Sequence, residues 1–72
     1  MSDPEIVEWL TRIEAEYREM PGLLLTERQM QRLWGLDGQA CADLVAILVA
    51  RGVLRERPTR ALGLVRTTIL LA

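Results

Sequence analysis

Histidine and lysine are absent from this 72-residue chain, and cysteine occurs once, at Cys41. One cysteine cannot form an intramolecular disulfide, and without histidine it cannot complete a zinc site. We therefore expect no metal, and the sparse use of cysteine favours a cytoplasmic location. The first residues, MSDPEIVEW, also lack the basic segment and apolar run that are typical of a secretory signal.

Long apolar runs are missing as well. The longest is LVAILVA at residues 44–50, far short of the roughly 20 residues needed to cross a bilayer, so we expect no membrane partner. Apolar residues nevertheless make up 50% of the chain. Because a domain this small buries only about 60% of the surface that its unfolded chain exposes, part of the apolar surface should face outward. This composition favours a homodimer or a complex with another protein.

Charge is unevenly distributed, although the net charge is only −1. Residues 1–19 carry six acidic and two basic side chains, which gives −4. Residues 51–72 carry five arginines and one glutamate, which gives +4. Such an asymmetry points to the C-terminal part as the place where an anionic partner would bind.

Apolar spacing and turn residues predict three helices, a short strand and a β-hairpin in a single domain covering residues 1–72. Pro58-Thr59-Arg60-Ala61 is the expected tip of the hairpin. The predicted elements are helix one at about 3–20, a strand at about 23–25, helix two at about 26–34, helix three at about 38–51 and the hairpin at about 53–69.

The helix ends carry recognisable capping residues. Ser2 and Thr26 are each followed three residues later by glutamate or glutamine, which predicts a capping box at the start of helices one and two. Asp37 is the expected N-cap of helix three. Gly52 is placed to end that helix in the left-handed conformation.

Apolar stripes predict which helix faces are buried. In helix one the stripe runs from Ile6 to Met20 in steps of three and four. In helix two the side chains of Met30, Leu33 and Trp34 are expected to be buried. These stripes would pack against helix three to form the core.

Residues 25–57, LTERQMQRLWGLDGQACADLVAILVARGVLRER, resemble the winged helix-turn-helix domain of small bacterial transcription regulators. The resemblance implies a mainly α, α+β fold in which three helices are followed by a small C-terminal β-hairpin, the wing. It also implies binding to DNA, with helix three in the major groove. The matching positions are Leu25-Thr26, Gly35-Leu36-Asp37, Leu48, Gly52, Val53 and Leu54.

Helix three departs from this family where its members read bases. Among its outward positions only Gln39 has an amide that can pair with an adenine edge, and Asp43 would repel phosphate. In a three-helix domain one face of helix three must point outward, so we predict that it is covered either by another chain or by the tail at residues 68–72 folding back. The residues of this predicted protein interface are Ala42, Ala46, Val49 and Ala50, together with the tail residues Ile69, Leu70 and Leu71.

The arginines of the predicted wing still favour binding to DNA. They can bind phosphates of double-stranded DNA weakly and with little sequence preference. The alternative is that Arg51, Arg55 and Arg57 pair with the acidic helix one of the same or a neighbouring chain. The predicted DNA contacts are Gln39, Arg51, Arg55, Arg57, Arg60 and Arg66.

Two functions therefore remain open at this stage. The chain is either a DNA-binding module, like those of transcription regulators, that contacts DNA mainly through its wing, or a winged helix that binds protein through helix three. No catalytic constellation is visible, because Cys41 lies on the core stripe without a basic neighbour in sequence. We expect neither an enzyme nor a cofactor.

Overall fold

Three helices and a three-stranded antiparallel sheet make up residues 2–65, the part of the chain that the computed structural model describes. The prediction of a mixed α and β fold is confirmed, and each helix begins and ends within one residue of its predicted position. Of the predicted hairpin, residues 66–69 lie outside the described part. The elements are α1 at Asp3–Glu19, β1 at Leu24–Leu25, α2 at Glu27–Trp34, α3 at Gly38–Ala50, β2 at Leu54–Glu56 and β3 at Leu62–Leu64.

The first helix, α1, differs from its prediction at both ends. Ser2 is the N-cap with an extended backbone, but its side chain makes no capping hydrogen bond, so the predicted capping box is wrong. At the other end Met20 is 52% exposed because the chain has left helical geometry there, which moves the side chain off the buried stripe. The buried part of the stripe is Leu10, Ile13 and Tyr17.

The second helix starts with the predicted capping box. The backbone N–H of Gln29 donates to Thr26 Oγ1 over 3.2 Å, and the backbone N–H of Thr26 donates to Gln29 Oε1 over 2.9 Å. Leu33, which was expected to be buried, is 60% exposed. Half-buried Gln31 and Trp34 show that the packed side of α2 is turned away from Leu33.

A sharp turn joins α2 to α3, and the helix axes change direction by 115°. Gly35 takes the left-handed conformation at φ 64° and ends α2. Asp37 then caps α3 as predicted, because its Oδ1 accepts a hydrogen bond of 2.7 Å from the backbone N–H of Ala40. Both ends of this turn are therefore held by local hydrogen bonds.

The end of α3 directs the chain into the sheet. Gly52 has φ 76°, its N–H donates to the Val49 carbonyl over 3.0 Å, and the N–H of Val53 donates to the Leu48 carbonyl over 2.9 Å. This pair of hydrogen bonds is the Schellman motif. It stops the helix at a defined residue, and strand β2 follows at Leu54.

The sheet has the order β1-β3-β2, so β3 is the central strand. Leu24 pairs with Gly63 on one side of β3, and Arg55 pairs with Gly63 on the other. A Cβ at Gly63 would come within 2.6 Å of Leu24 Cδ2. The glycine therefore lets the Leu24 side chain lie directly across the central strand.

Tyr17 joins α1 to this sheet. Its side chain is fully buried, and its hydroxyl donates to the Leu62 carbonyl over 2.7 Å. Burial raises the pKa of Tyr17 to about 12, although a hydrogen bond from the Leu25 backbone opposes part of this rise. The core around Tyr17 consists of Leu10, Ile13, Met30, Cys41, Leu44, Val45, Leu48, Leu54 and Leu62.

Alkaline pH should unfold the protein through Tyr17. Its pKa is 10.0 in an ordinary environment and about 12 in the fold. Between these values the unfolded chain has lost the proton that the folded chain keeps, so the free energy of unfolding falls by up to about 1.4 kcal/mol per pH unit. Burial also raises the pKa of Cys41, which acts in the same direction. Urea denaturation at several alkaline pH values measures the slope.

Tyr17→Phe provides the matched variant for this measurement. It should cost about 1–2 kcal/mol at neutral pH, because the Leu62 carbonyl loses a buried donor. It should also flatten the alkaline decline, since the only tyrosine of the chain is removed. An unchanged alkaline slope in the variant would contradict the assignment.

Gly52→Ala should destabilise the fold by about 1–2 kcal/mol, because an L side chain is strained at positive φ. Gly22→Ala is the control, since Gly22 has no atom within 4 Å of an added Cβ and no positive φ. Thermal denaturation of both variants measures the difference. Equal stabilities of the two variants would contradict the expectation that an L side chain is strained at position 52.

Candidate nucleic-acid interface

Three arginines lie on and next to the β2–β3 hairpin. Arg55 is within β2, Arg57 follows the strand, and Arg60 lies in the turn. All three are exposed. Because side chains alternate along a strand, Arg55 and Arg57 share the outer face of the sheet with Leu24. We call Arg55, Arg57 and Arg60 the hairpin arginines.

Arg60 is the last residue of the turn that joins β2 to β3. The N–H of Arg57 donates to the Ala61 carbonyl and the N–H of Arg60 to the Arg57 carbonyl, each over 2.8 Å. Arg60 has φ 67°, the left-handed conformation that three-residue hairpin loops require at their last position. A non-glycine residue in this conformation is uncommon, and it holds a guanidinium at the hairpin tip.

Among residues 2–65, none of the hairpin arginines forms an ion pair. Within the described part of the chain, the one carboxylate of α1 in an ion pair is that of Glu14, with Arg18 over 2.8 Å. Within residues 2–65 none of Arg51, Arg55 and Arg57 forms the predicted ion pair with α1, and pairing with a neighbouring chain stays a prediction. Their charge remains available to an external anion.

Two carboxylates moderate this positive charge. Glu27 of α2 and Glu56 of β2 border the same shallow groove as Arg60, a space of about 500 Å³. Counting residues 54–61 alone, three arginines and one glutamate give +2. The hairpin is thus positive but not strongly so.

Arg51 borders a different groove from this one. It follows the end of α3 and lines a groove of about 320 Å³ with α1 residues that include Val7, Leu10 and Glu14. The sequence suggested that Arg51 was close to the hairpin arginines, whereas the fold sets it beside α1. Arg66, the remaining predicted DNA contact, lies outside the described residues.

The outward face of α3 is exposed at every predicted position. At the start of this face Gln39 was expected to present its amide to DNA. Its Nε2 instead donates to Asp43 Oδ1 over 3.0 Å. The spacing of four residues on one helix could have indicated this bond. The exposed positions are Gln39, Ala42, Asp43, Ala46, Val49 and Ala50; Ile69, Leu70 and Leu71 of the predicted interface lie outside the described part.

The start of α3 is also more acidic than the helix alone suggests. Glu5 of α1 borders a groove of about 320 Å³ together with Asp37, Gln39 and Asp43. Three carboxylates therefore surround the part of α3 that would approach bases and phosphates. Sequence reasoning missed Glu5, because it is more than thirty residues away in the chain.

The one thiol of the chain is not available for chemistry. Cys41 is 1% exposed, and its Sγ donates to the Glu27 carbonyl over 3.5 Å. Burial raises the pKa of the Cys41 thiol, with a smaller contribution from the charge of Glu27. Cys41 is therefore protonated at neutral pH and shielded from reagents.

Other classes of site find little support in residues 2–65. That part of the chain holds no group of three or more cysteine, aspartate or glutamate side chains placed to bind a metal ion. None of its helices is by itself long and apolar enough to cross a membrane, and α2 and α3 reach that length and composition only as a bent pair. No protein-family model matches the sequence, and neither a curated protein nor a solved structure matches it.

Proposed function

We propose that this chain is a winged-helix DNA-binding protein, similar to the DNA-binding modules of transcription regulators, that contacts the phosphates of duplex DNA through its wing. The observation that carries the proposal is the set of exposed hairpin arginines, Arg55, Arg57 and Arg60, which have no ion-pair partner within residues 2–65. A guanidinium presents planar N–H groups that match two phosphate oxygens.

The arrangement of the helices supports the winged-helix assignment. The 115° change of direction between α2 and α3 falls in the range of about 90–120° that helix-turn-helix motifs adopt. A short strand before α2 and the hairpin after α3 join in one sheet, as a wing requires. The hairpin arginines then lie on the wing, beside the helix that such folds bring to DNA.

The chemistry of α3 limits this contact to the DNA backbone. Gln39, the one outward amide of α3, donates from Nε2 to the Asp43 carboxylate, so its approach to an adenine edge would bring a negative charge next to phosphates. The carboxylates of Glu5, Asp37 and Asp43 around the start of α3 repel phosphates. We therefore propose binding that is weak and largely independent of sequence, with the wing as the main contact.

A second candidate function is association with protein through the outward face of α3. It is favoured by one observation, the exposure of an uncharged stretch that includes Val49 at 42%. This function does not exclude the first, because α3 and the hairpin arginines present different surfaces.

Replacing all three hairpin arginines by glutamine should abolish DNA binding. If each arginine neutralises one phosphate, log K falls with log salt at a slope of about −2.7, and a fourfold rise in salt weakens binding about 40-fold. The triple variant should lose at least about tenfold in affinity at low salt, together with most of this slope. Fluorescence anisotropy with a labelled random-sequence duplex measures both quantities.

The matched control removes the same total charge elsewhere, as Arg12→Gln, Arg18→Gln and Arg32→Gln. These arginines lie on α1 and α2 and are exposed. Their loss should change affinity by no more than about threefold, through net charge alone. Equal losses in the two triple variants, or no binding by the parent protein at low salt, would refute the wing as the contact.

Gln39→Ala should leave DNA affinity unchanged, because the proposed contact is made by the hairpin arginines, and Asp43 beside Gln39 repels phosphates. Duplexes of unrelated sequence should likewise bind within about twofold of one another, since phosphate contacts carry no sequence information. Competition titrations with a panel of duplexes test both expectations. A loss of sequence preference in the variant would instead assign base reading to α3.

A further inference from the structure

We propose that the segment Ile69-Leu70-Leu71 of this chain docks in the groove between α1 and the end of α3. The segment lies outside the described residues, and the groove is the one that Arg51 borders. We call them the apolar tail and the α1 groove. None of the hairpin arginines borders this groove, so docking of the apolar tail does not depend on DNA binding.

An uncharged stripe along α1 forms one wall of the α1 groove. It consists of Val7, Thr11 and Ala15, which are spaced by four residues and are all exposed. Val7 is 60% exposed, although the other outward positions of α1 are mostly charged. Buried Leu10 lines the groove as well. A single exposed apolar residue is ordinary, but an apolar stripe that borders a concave surface is suited to bind apolar side chains.

The polar side chains of the groove are already paired within α1. Thr11 Oγ1 donates to the Val7 carbonyl over 3.0 Å. Glu14 accepts hydrogen bonds from Nε and Nη2 of Arg18 over 3.0 and 2.8 Å. An apolar segment can cover these groups without leaving them unpaired. Arg51 forms no ion pair within residues 2–65, but its long side chain can keep the guanidinium in water at the rim.

The chain leaves the described part beside this groove. The N–H of Val65, the last described residue, donates to the Val53 carbonyl over 2.9 Å. Val53 is two residues from Arg51, a separation of at most about 7 Å. Because Arg51 borders the α1 groove, residue 66 continues the chain from a point close to it.

The length of the connecting chain fits this route. Four residues separate Val65 from Ile69, and an extended chain covers about 13 Å over that distance. The stripe from Val7 to Ala15 extends about 12 Å along α1. The apolar tail is therefore long enough to reach the stripe.

The composition of residues 66–72, RTTILLA, also matches the groove. They contain three consecutive large aliphatic side chains and no carboxylate. The groove contacts such side chains from two sides, α1 and the end of α3, whereas the outward face of α3 is convex and contacts them from one. We therefore place the apolar tail on α1, which leaves Ala46 and Val49 available for the second candidate function.

Disulfide trapping in the full chain tests this docking. Val7→Cys combined with Leu70→Cys should form an intramolecular disulfide under mild oxidation, because docking brings the two thiols within bonding distance. The matched control combines Leu33→Cys with Leu70→Cys, since Leu33 of α2 is also 60% exposed. The first pair should close at least about tenfold faster than the control, through its higher effective concentration. Mass spectrometry after alkylation measures both rates, and buried Cys41 does not compete.

Other occupants give different outcomes. If Val49→Cys with Leu70→Cys closes faster than the Val7 pair, the apolar tail covers α3 instead. Disulfides that form between two copies at low micromolar concentration would show that the tail docks on a neighbouring molecule. Either result overturns the proposal, as do equal rates for the Val7 pair and the Leu33 control.

Methyl NMR of the unaltered protein provides a second measurement that needs no cysteine. Nuclear Overhauser effects should connect the methyl groups of Leu70 or Leu71 with those of Val7 and Leu10. Val7→Asn should shift the Leu70 methyl resonances, whereas the equally exposed Leu33→Asn should leave them in place. Absence of contacts between the apolar tail and α1 in the unaltered protein overturns the proposal. Neither measurement involves DNA, so its failure is distinct from failure of DNA binding.

Discussion

One side of helix α3 is completely buried, and no other element of residues 2–65 covers its opposite side. Leu44 and Leu48 are both 0% exposed, and α1, α2 and the sheet all pack around them. Since the buried side is used up by this packing, Ala46 and Val49 are left in contact with solvent. The whole architecture follows from placing this one apolar helix at the centre of a thin core.

Because α3 is used for packing, nearly all charged side chains lie on other elements. The hairpin carries exposed arginines, and α1 carries most of the carboxylates. The turn that ends α3 at Gly52 leads directly into β2, so the hairpin necessarily emerges next to the helix. This separation of an apolar helix from a basic hairpin underlies both candidate functions, since the first relies on the guanidinium groups and the second on the uncharged face.

Local features of the fold were predictable wherever a hydrogen bond closes within a few residues. Thr26, Asp37 and Gly52 all act as expected, because each contact lies within five residues along the chain. The failures have different causes. Ser2 has the right residue pattern without the bond. Leu33 lies on the exposed side of α2, because this helix packs against α3 and β1 through the side that carries Met30.

The sequence by itself determined the element order, the capping of α2 and α3, the exposed positions of α3 and the arginines of the hairpin, because periodicity and turn chemistry act over short distances. Tertiary structure alone decided the rest. It joined Tyr17 to Leu62 across forty-five residues, set Glu5 near the start of α3 and turned Arg51 toward α1. Burial and charge proximity depend on which elements meet, and no short segment encodes that meeting.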